Sequence, residues 1–293
     1  MIGFNMIGTD GLGNQMFRYA AIRGISAIKN YDFCISENNK LKSCFNMGNT
    51  VFKDLPDHYP AYIQKNWTYD LEYINECQDN SILFGWFMTE KNFKHIEKEI
   101  KKDFTFKPHI LDYCKDLRKE TSGEVIAIHI RRTDYLKHLD FFGYCSLDYY
   151  KRALDEMPKN LPVFIFSDDP LWCAKQSIFS GNGNRFRFVS TEENLSKYQD
   201  VIVVPDDTYN LCFMSLCNYF IIANSTYSWW GAWLAENKKR VIAPKFWYSP
   251  RTIKYGVKQN RKVISEKSDA VIFSFDSLDD KDVVPDSWEK IKN

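Results

Sequence analysis

Two clusters in this 293-residue chain have the residue types and spacing to hold a phosphate. In His129-Ile130-Arg131-Arg132-Thr133-Asp134, consecutive guanidiniums leave an apolar run and a carboxylate follows. A planar guanidinium grips two phosphate oxygens at once, and Asp134 can fix the orientation of one of them. The second cluster, Asn224-Ser225-Thr226-Tyr227-Ser228, follows the apolar run Tyr219 to Ala223 and leads into a helix-competent segment. Ser225, Thr226 and Ser228 are suited to cap orphan backbone N–H groups, and those same groups, at the positive end of a helix dipole, can hold an anion. His129 lies inside the first apolar run, where it either orients a base or contacts a nucleotide, or is a packed core residue.

Other positions carry weaker signals. Gly11 and Gly13 suggest a dinucleotide loop, but the third glycine position is Met16, and no Gly-Lys-Ser/Thr follows to make a P-loop. What remains is a turn that presents the carboxamides of Asn14 and Gln15 beside a helix start, groups able to bind sugar hydroxyls or phosphate oxygens. Asp168-Asp169 ends an apolar run before Pro170; the pair either caps a helix or recognises a base or ribose. Asp280-Lys281-Asp282 lies in a polar tail expected to be solvated from Ser277 onward, not where a metal-binding acidic pair is wanted. No essential metal is expected.

These clusters need a scaffold, and the sequence supplies its pattern. Short apolar runs at 125–130, 163–166, 186–189, 201–204, 219–222 and 240–243 alternate with helix-compatible stretches, as in a parallel α/β sheet. In such sheets ligands bind beyond the carboxyl ends of strands, where both clusters and Asp168 fall. The first 105 residues are less regular: a strand over 2–8, then a helix with Phe17, Ala20, Ala21, Gly24 and Ile28 on one face, predict a second α/β layer. The junction is expected near Pro108 to Gly123, giving domains 1–118 and 119–293. Lys and Arg number 39 against 38 Asp and Glu, so no global field attracts nucleic acid and any anion site is local. Eight scattered cysteines without Cys-x-x-Cys pairs read as buried free thiols. With no charged leader and no apolar stretch of membrane-spanning length, the expected location is the cytoplasm.

Four blocks, Gly-Leu-Gly-Asn-Gln-Met-Phe-Arg-Tyr-Ala from Gly11, His-Ile-Arg-Arg-Thr-Asp-Tyr from His129, Phe-Ser-Asp-Asp from Phe166 and Ile-Ile-Ala-Asn-Ser-Thr-Tyr-Ser-Trp-Trp-Gly-Ala-Trp-Leu from Ile221, together resemble the bacterial α-1,2-fucosyltransferases of glycosyltransferase family 11. The resemblance implies an α/β fold of two Rossmann-like domains facing a cleft, GT-B-like, with the N-terminal domain on the acceptor side and the C-terminal domain holding the GDP-sugar. It implies GDP-L-fucose as donor substrate, inversion at the anomeric carbon, and neither cofactor nor required metal. Arg131 and its neighbours would bind the pyrophosphate and the block from Asn224 would add hydroxyl and amide donors. Asp134 is then the motif's candidate to accept the proton of the attacking hydroxyl, or else a structural partner of the arginines. The acceptor would be the 2-hydroxyl of a terminal β-galactoside on an O-antigen or other surface glycan, with the enzyme peripheral to the inner membrane through exposed aromatic and basic residues. Alternatives are another GDP-sugar or acceptor hydroxyl, or a glycan-binding protein that does no chemistry. Two departures stand out: Thr133 occupies a position where many relatives have Gly, and Thr9-Asp10 precede Gly11 where a Gly is usual.

Overall fold

The computed structural model describes residues 1–4, 11–56, 58–64, 68–180, 185–191, 200–250, 252, 257–259, 273–275 and 279–293. Its opening strand, β1 (Ile2–Phe4), is buried throughout; the rest of the strand expected over 2–8, and the departure at Thr9-Asp10, lie outside the described residues. Gly11, in an extended conformation, is the N-cap of α1 (Leu12–Lys29). Phe17, Ala20, Ala21 and Gly24 face the core as the spacing predicts, and Gly24 sits so close to the Asn92 carbonyl that a Cβ would lie 2.0 Å from its oxygen. Ile28 departs from the expectation at 44% exposure, because the buried part of the helix ends at Ser26, before its last turn.

After α1 come β2 (Phe33–Ile35), α2 (Leu41–Cys44), β3 (Val51–Phe52), β4 (Ala61–Ile63), α3 (Leu71–Glu76), β5 (Ser81–Phe84) and α4 (Glu97–Asp103). The strands form a sheet in the order β3-β2-β1-β5-β4, with every pair parallel. The chain therefore builds outward from β1 through β2 and β3, then returns to the other side of β1, which makes the β1–β5 boundary a topological switch point.

The second sheet starts after α5 (Pro108–Lys119). It is built from β6 (Ile126–Ile130), α6 (Leu147–Asp155), β7 (Val163–Ser167), α7 (Pro170–Ala174), β8 (Phe186–Ser190), β9 (Val201–Val203), α8 (Asp207–Ser215), β10 (Tyr219–Ile221), α9 (Thr226–Leu234) and β11 (Arg240–Pro244). Each apolar run singled out in the sequence is a strand here. A short antiparallel pair, β12 (Val257–Gln259) and β13 (Phe273–Phe275), follows, and β14 (Glu289–Ile291) closes the sheet in the order β14-β11-β10-β6-β7-β8-β9, all parallel. Ile126, Ile128 and Ile130 of β6 and Val163 and Ile165 of β7 pack against Tyr149, Tyr150 and Ala153 of α6, so these central strands are apolar apart from His129 in β6 and the terminal Ser167 of β7. The switch point of this sheet is the β6–β10 boundary.

The chain divides into two compact units, Met1–Thr105 with Tyr248–Pro285, and Phe106–Trp247 with Asp286–Asn293. This differs from a boundary at residue 118: α5 belongs to the second unit because it packs on α8, with Cys114 and Tyr113 reaching Tyr209. The segment after Ser277 is not a solvated end over its described part. Val283, Val284 and Trp288 are buried, Trp288 packs on Trp229 of α9, and Asp282 accepts from the Tyr69 N–H and pairs with Lys91. All eight cysteines are buried and none is in a disulfide.

Candidate active site

In the second unit, β10, β6 and β7 are adjacent and parallel, and Ile130 at the end of β6 is in register with Ser167 of β7. The segments that leave their carboxyl ends are those the sequence marked: Asn224–Ser228 after β10, Arg131–Asp134 after β6 and Asp168–Asp169 after β7. The first two flank the switch point, where a doubly wound sheet opens a crevice for a ligand.

Asp168 organises the turn that leaves β6. Its carboxylate accepts from the backbone N–H groups of Arg132 at 2.9 Å and Thr133 at 3.1 Å, and from the Thr133 hydroxyl. It also pairs with Arg131 Nη1 at 3.3 Å. Both Asp168 oxygens thus serve the chain itself. Asp169 caps α7 by accepting from the Trp172 N–H, as expected for one of the pair.

The two arginines diverge. Arg132 turns toward α7, where its Nε donates to Asp169 at 3.1 Å and its guanidinium stands 3.4 Å from the centre of the Trp172 ring. Its side chain is only 12% exposed, so its place is that of a brace for the turn. Arg131 is 32% exposed and is held by Asp134 at 2.8 Å and Asp168. Burial works to lower its pKa, but the two carboxylates outweigh burial and raise it. The site therefore keeps a permanently charged, oriented guanidinium at the end of β6. Asp134 is thereby an ionic partner of Arg131.

On the other side of the switch point, Ser225 is the N-cap of α9, in an extended conformation, and its side chain makes no cap bond. Ser228 instead donates backward to the carbonyls of Ser225 at 3.2 Å and Ala223 at 3.4 Å. The expectation that these hydroxyls cap the helix therefore fails for both. Thr226 is the first residue of α9 and half-buried. α9 is otherwise a core helix: Trp229, Trp230 and Trp233 are buried with mutual ring contacts. Asn224, 1% exposed, donates to the Trp247 carbonyl at 2.8 Å, and its side-chain oxygen faces the Cys145 thiol. Its role is to lock the loop into the core. Tyr135 then ties the two loops together by donating to the Asn224 carbonyl at 2.8 Å while stacking on Phe142 with centroids 3.9 Å apart. Burial raises its pKa, so the phenol remains a donor.

His129 is buried beneath this site. Its carbonyl accepts from Tyr150, its ring lies 5.7 Å from that of Tyr227, and its Nδ1 lacks a hydrogen-bond partner among the described residues. Burial, with Arg131 as a second cause, lowers its pKa to about 3, so the ring is neutral at ordinary pH. Below about pH 6.5 the unfolded chain protonates this histidine and the folded chain does not. Its contribution to stability is therefore complete above that pH and is lost as pH falls toward 3, by up to about 1.4 kcal/mol per pH unit. In urea unfolding between pH 7 and 4.5, His129→Phe is expected to lose stability less steeply than the wild type; equal slopes would refute the assignment.

Asn14 and Gln15 belong to the first unit, in the opening turn of α1. Gln15 is fully buried and its Oε1 accepts from the Lys40 N–H at 2.8 Å, while Asn14 is half-buried. Trp172 was not singled out in the sequence; an aromatic residue shortly after the capping Asp169-Pro170 was the available signal for it.

A charged turn and a helix amino terminus stand on either side of a parallel switch point in an α/β protein, an arrangement of residue types able to hold an anion. The chain belongs to glycosyl transferase family 11, whose model matches residues 3–265. It is similar to the α-1,2-colitosyltransferase of Escherichia coli (29% identical over 281 residues, covering 81% of this chain and 90% of that protein). It is similar also to the O-antigen biosynthesis glycosyltransferase WbnK of Escherichia coli (26% over 293 residues, 82% and 93%). A shorter match, 24% identical over 157 residues and covering 49% of this chain and 40% of that protein, is to the galactoside α-(1,2)-fucosyltransferase 1 of Homo sapiens. Two parallel α/β units agree with the GT-B-like class expected from the sequence. Among the described residues no helix is long and apolar enough to cross a membrane, and no group of three or more His, Cys, Asp and Glu could hold a metal ion.

Proposed function

We propose that this enzyme transfers L-fucose from GDP-L-fucose, with inversion, to the 2-hydroxyl of a terminal β-galactoside during synthesis of an O-antigen or other surface polysaccharide. The observation that carries the reading is the Arg131 guanidinium, held by two carboxylates at the switch point across from the amino terminus of α9. Family membership and the activities of the relatives support it.

In this mechanism the acceptor oxygen attacks C1 of fucose and the bond from C1 to the β-phosphate oxygen breaks, leaving its electron pair on GDP. Positive charge develops on the sugar ring, as in glycoside hydrolysis. Arg131 and the first amides of α9 stabilise the negative charge gathering on the pyrophosphate in a site already organised for it. Arg132, Asp168 and Asn224 hold those donors in place. The hydroxyl proton passes to a carboxylate, for which Asp134, half-exposed beside Arg131, remains the candidate within the motif. Asn14 and Gln15 contribute from the first unit, the acceptor side, by shaping the start of α1. Transfer proceeds without a metal, and the enzyme works at the cytoplasmic face of the inner membrane, held peripherally.

The colitosyltransferase relative favours one second reading, in which a colitosyl group is the one transferred. GDP release is measured with GDP-L-fucose and the corresponding colitosyl donor, using lactose, N-acetyllactosamine and galactosyl-β-1,3-N-acetylhexosamine, with and without EDTA, followed by linkage analysis. Acceptor-dependent, EDTA-resistant release from GDP-L-fucose with an α-1,2 product is the expected result. Release from the colitosyl donor alone would select the second reading, and absence of GDP binding would overturn both.

A further inference from the structure

We propose that Trp86, backed by the buried Arg18, is a stacking platform for the acceptor sugar on the first unit; this rests on the glycosyl-transfer reading above. Trp86 leaves the carboxyl end of β5 by way of Gly85, at the switch point between β1 and β5, the place in a parallel sheet where ligands are received. It occupies in its own sheet the position that the phosphate-competent loops occupy in theirs.

The loop that carries it is built with more constraint than a connection requires. Gln64, 3% exposed, directs its Oε1 to the backbone N–H groups of both Trp86 and Phe87, each at 3.1 Å. Gly85 permits that approach, since a Cβ there would lie 2.5 Å from the same oxygen. Phe87 is held at φ 53°, a left-handed conformation that a bulky residue adopts only when its surroundings impose it. Its carbonyl accepts from the Thr89 N–H and from the Asn92 side chain, and its ring packs against Tyr73. Arg18, 5% exposed on α1, donates from Nε to the Gly85 carbonyl at 3.1 Å. Its guanidinium carbon lies 4.9 Å from the centre of the Trp86 ring and 4.5 Å from that of Phe4. A cation is costly to bury, and here its position fixes the plane of the indole while the indole remains half-buried rather than enclosed.

A rigid, half-buried aromatic side chain at a strand end suits the apolar C–H face of a galactoside, which gains contact area at little cost in side-chain entropy. Trp86 would thus contribute to acceptor affinity and specificity, with Arg18 as its positioning residue.

The test is saturation-transfer NMR of the full chain with lactose, alongside GDP titration and acceptor kinetics. The wild type is expected to transfer saturation to the galactose protons. Trp86→Ala is expected to weaken lactose binding and raise the acceptor KM by about tenfold, with GDP affinity unchanged. Trp86→Phe, which keeps an aromatic face, is expected to recover most of the loss, which separates stacking from a folding defect. Lactose that binds Trp86→Ala as well as the wild type, or that does not bind the wild type at all, would overturn the platform. Failure of GDP to bind would instead strike the donor reading, which the lactose measurement does not depend on.

Discussion

Replacing Arg131 with alanine is expected to lower acceptor-dependent GDP release by about a hundred- to a thousandfold, the usual cost of losing one well-aimed donor to a developing negative charge. The effect should be large because the guanidinium is already oriented before substrate arrives. Asp134 at 2.8 Å and Asp168 at 3.3 Å hold its two ends, so little reorganisation is needed at the moment of bond breaking. Lysine at this position keeps the charge but loses the planar fork, and should recover only a small part of the rate. Steady-state kinetics with GDP-L-fucose, with thermal unfolding as a control for folding, checks the prediction. Near-normal turnover of a folded Arg131→Ala would mean that the donor phosphate lies elsewhere.

The second large effect is expected from a residue that need not touch substrate. Asp168→Ala leaves the Arg132 and Thr133 N–H groups and the Thr133 hydroxyl without their acceptor and removes one of the two carboxylates on Arg131. The exposed Thr133 donors can turn to water, so the cost falls mainly on the part-buried Arg132 N–H, about 1 to 3 kcal/mol; the turn should relax and GDP affinity should fall by about tenfold. Asp168→Asn retains a carbonyl oxygen but loses the charge and half the accepting capacity, and should fall between wild type and alanine. Calorimetric titration with GDP distinguishes the three. If Asp168→Ala bound GDP as tightly as the wild type, the turn after β6 would not be what presents Arg131.

The two residues differ in how far local sequence can single them out. Arg131 was legible because its neighbours are diagnostic: an apolar run of strand length, two consecutive guanidiniums and a carboxylate within reach. The supporting role of Asp168 was not, because its partners lie 35 and 36 residues away along the chain and meet it only when β6 and β7 pair in register. Arg132 is similar. In the sequence it is equivalent to Arg131, yet the twist of the chain leaving β6 sends it to Trp172 and Asp169. The hydroxyls of Ser225 and Ser228 read as caps from local pattern alone. In the folded chain the Ser228 hydroxyl bonds to carbonyls of the preceding turn, and Ser225 makes no side-chain cap bond.

The sequence by itself determined six of the seven strands of the second sheet, because strands covered on both faces read as near-continuous apolar runs; it did not determine β14, where Glu289 and Lys290 are polar. It determined also that the anion-competent residues follow strand ends, and that α1 buries Phe17, Ala20, Ala21 and Gly24. Only the tertiary structure decided the order of the strands, and with it the two switch points. It also brought the segment from Tyr248 to Pro285 back to the first unit and placed β14 at the edge of the second sheet. The reason is physical: the burial pattern of a strand is a property of its own residues, whereas its neighbours are chosen by the packing of segments far apart in the chain, which no local spacing records.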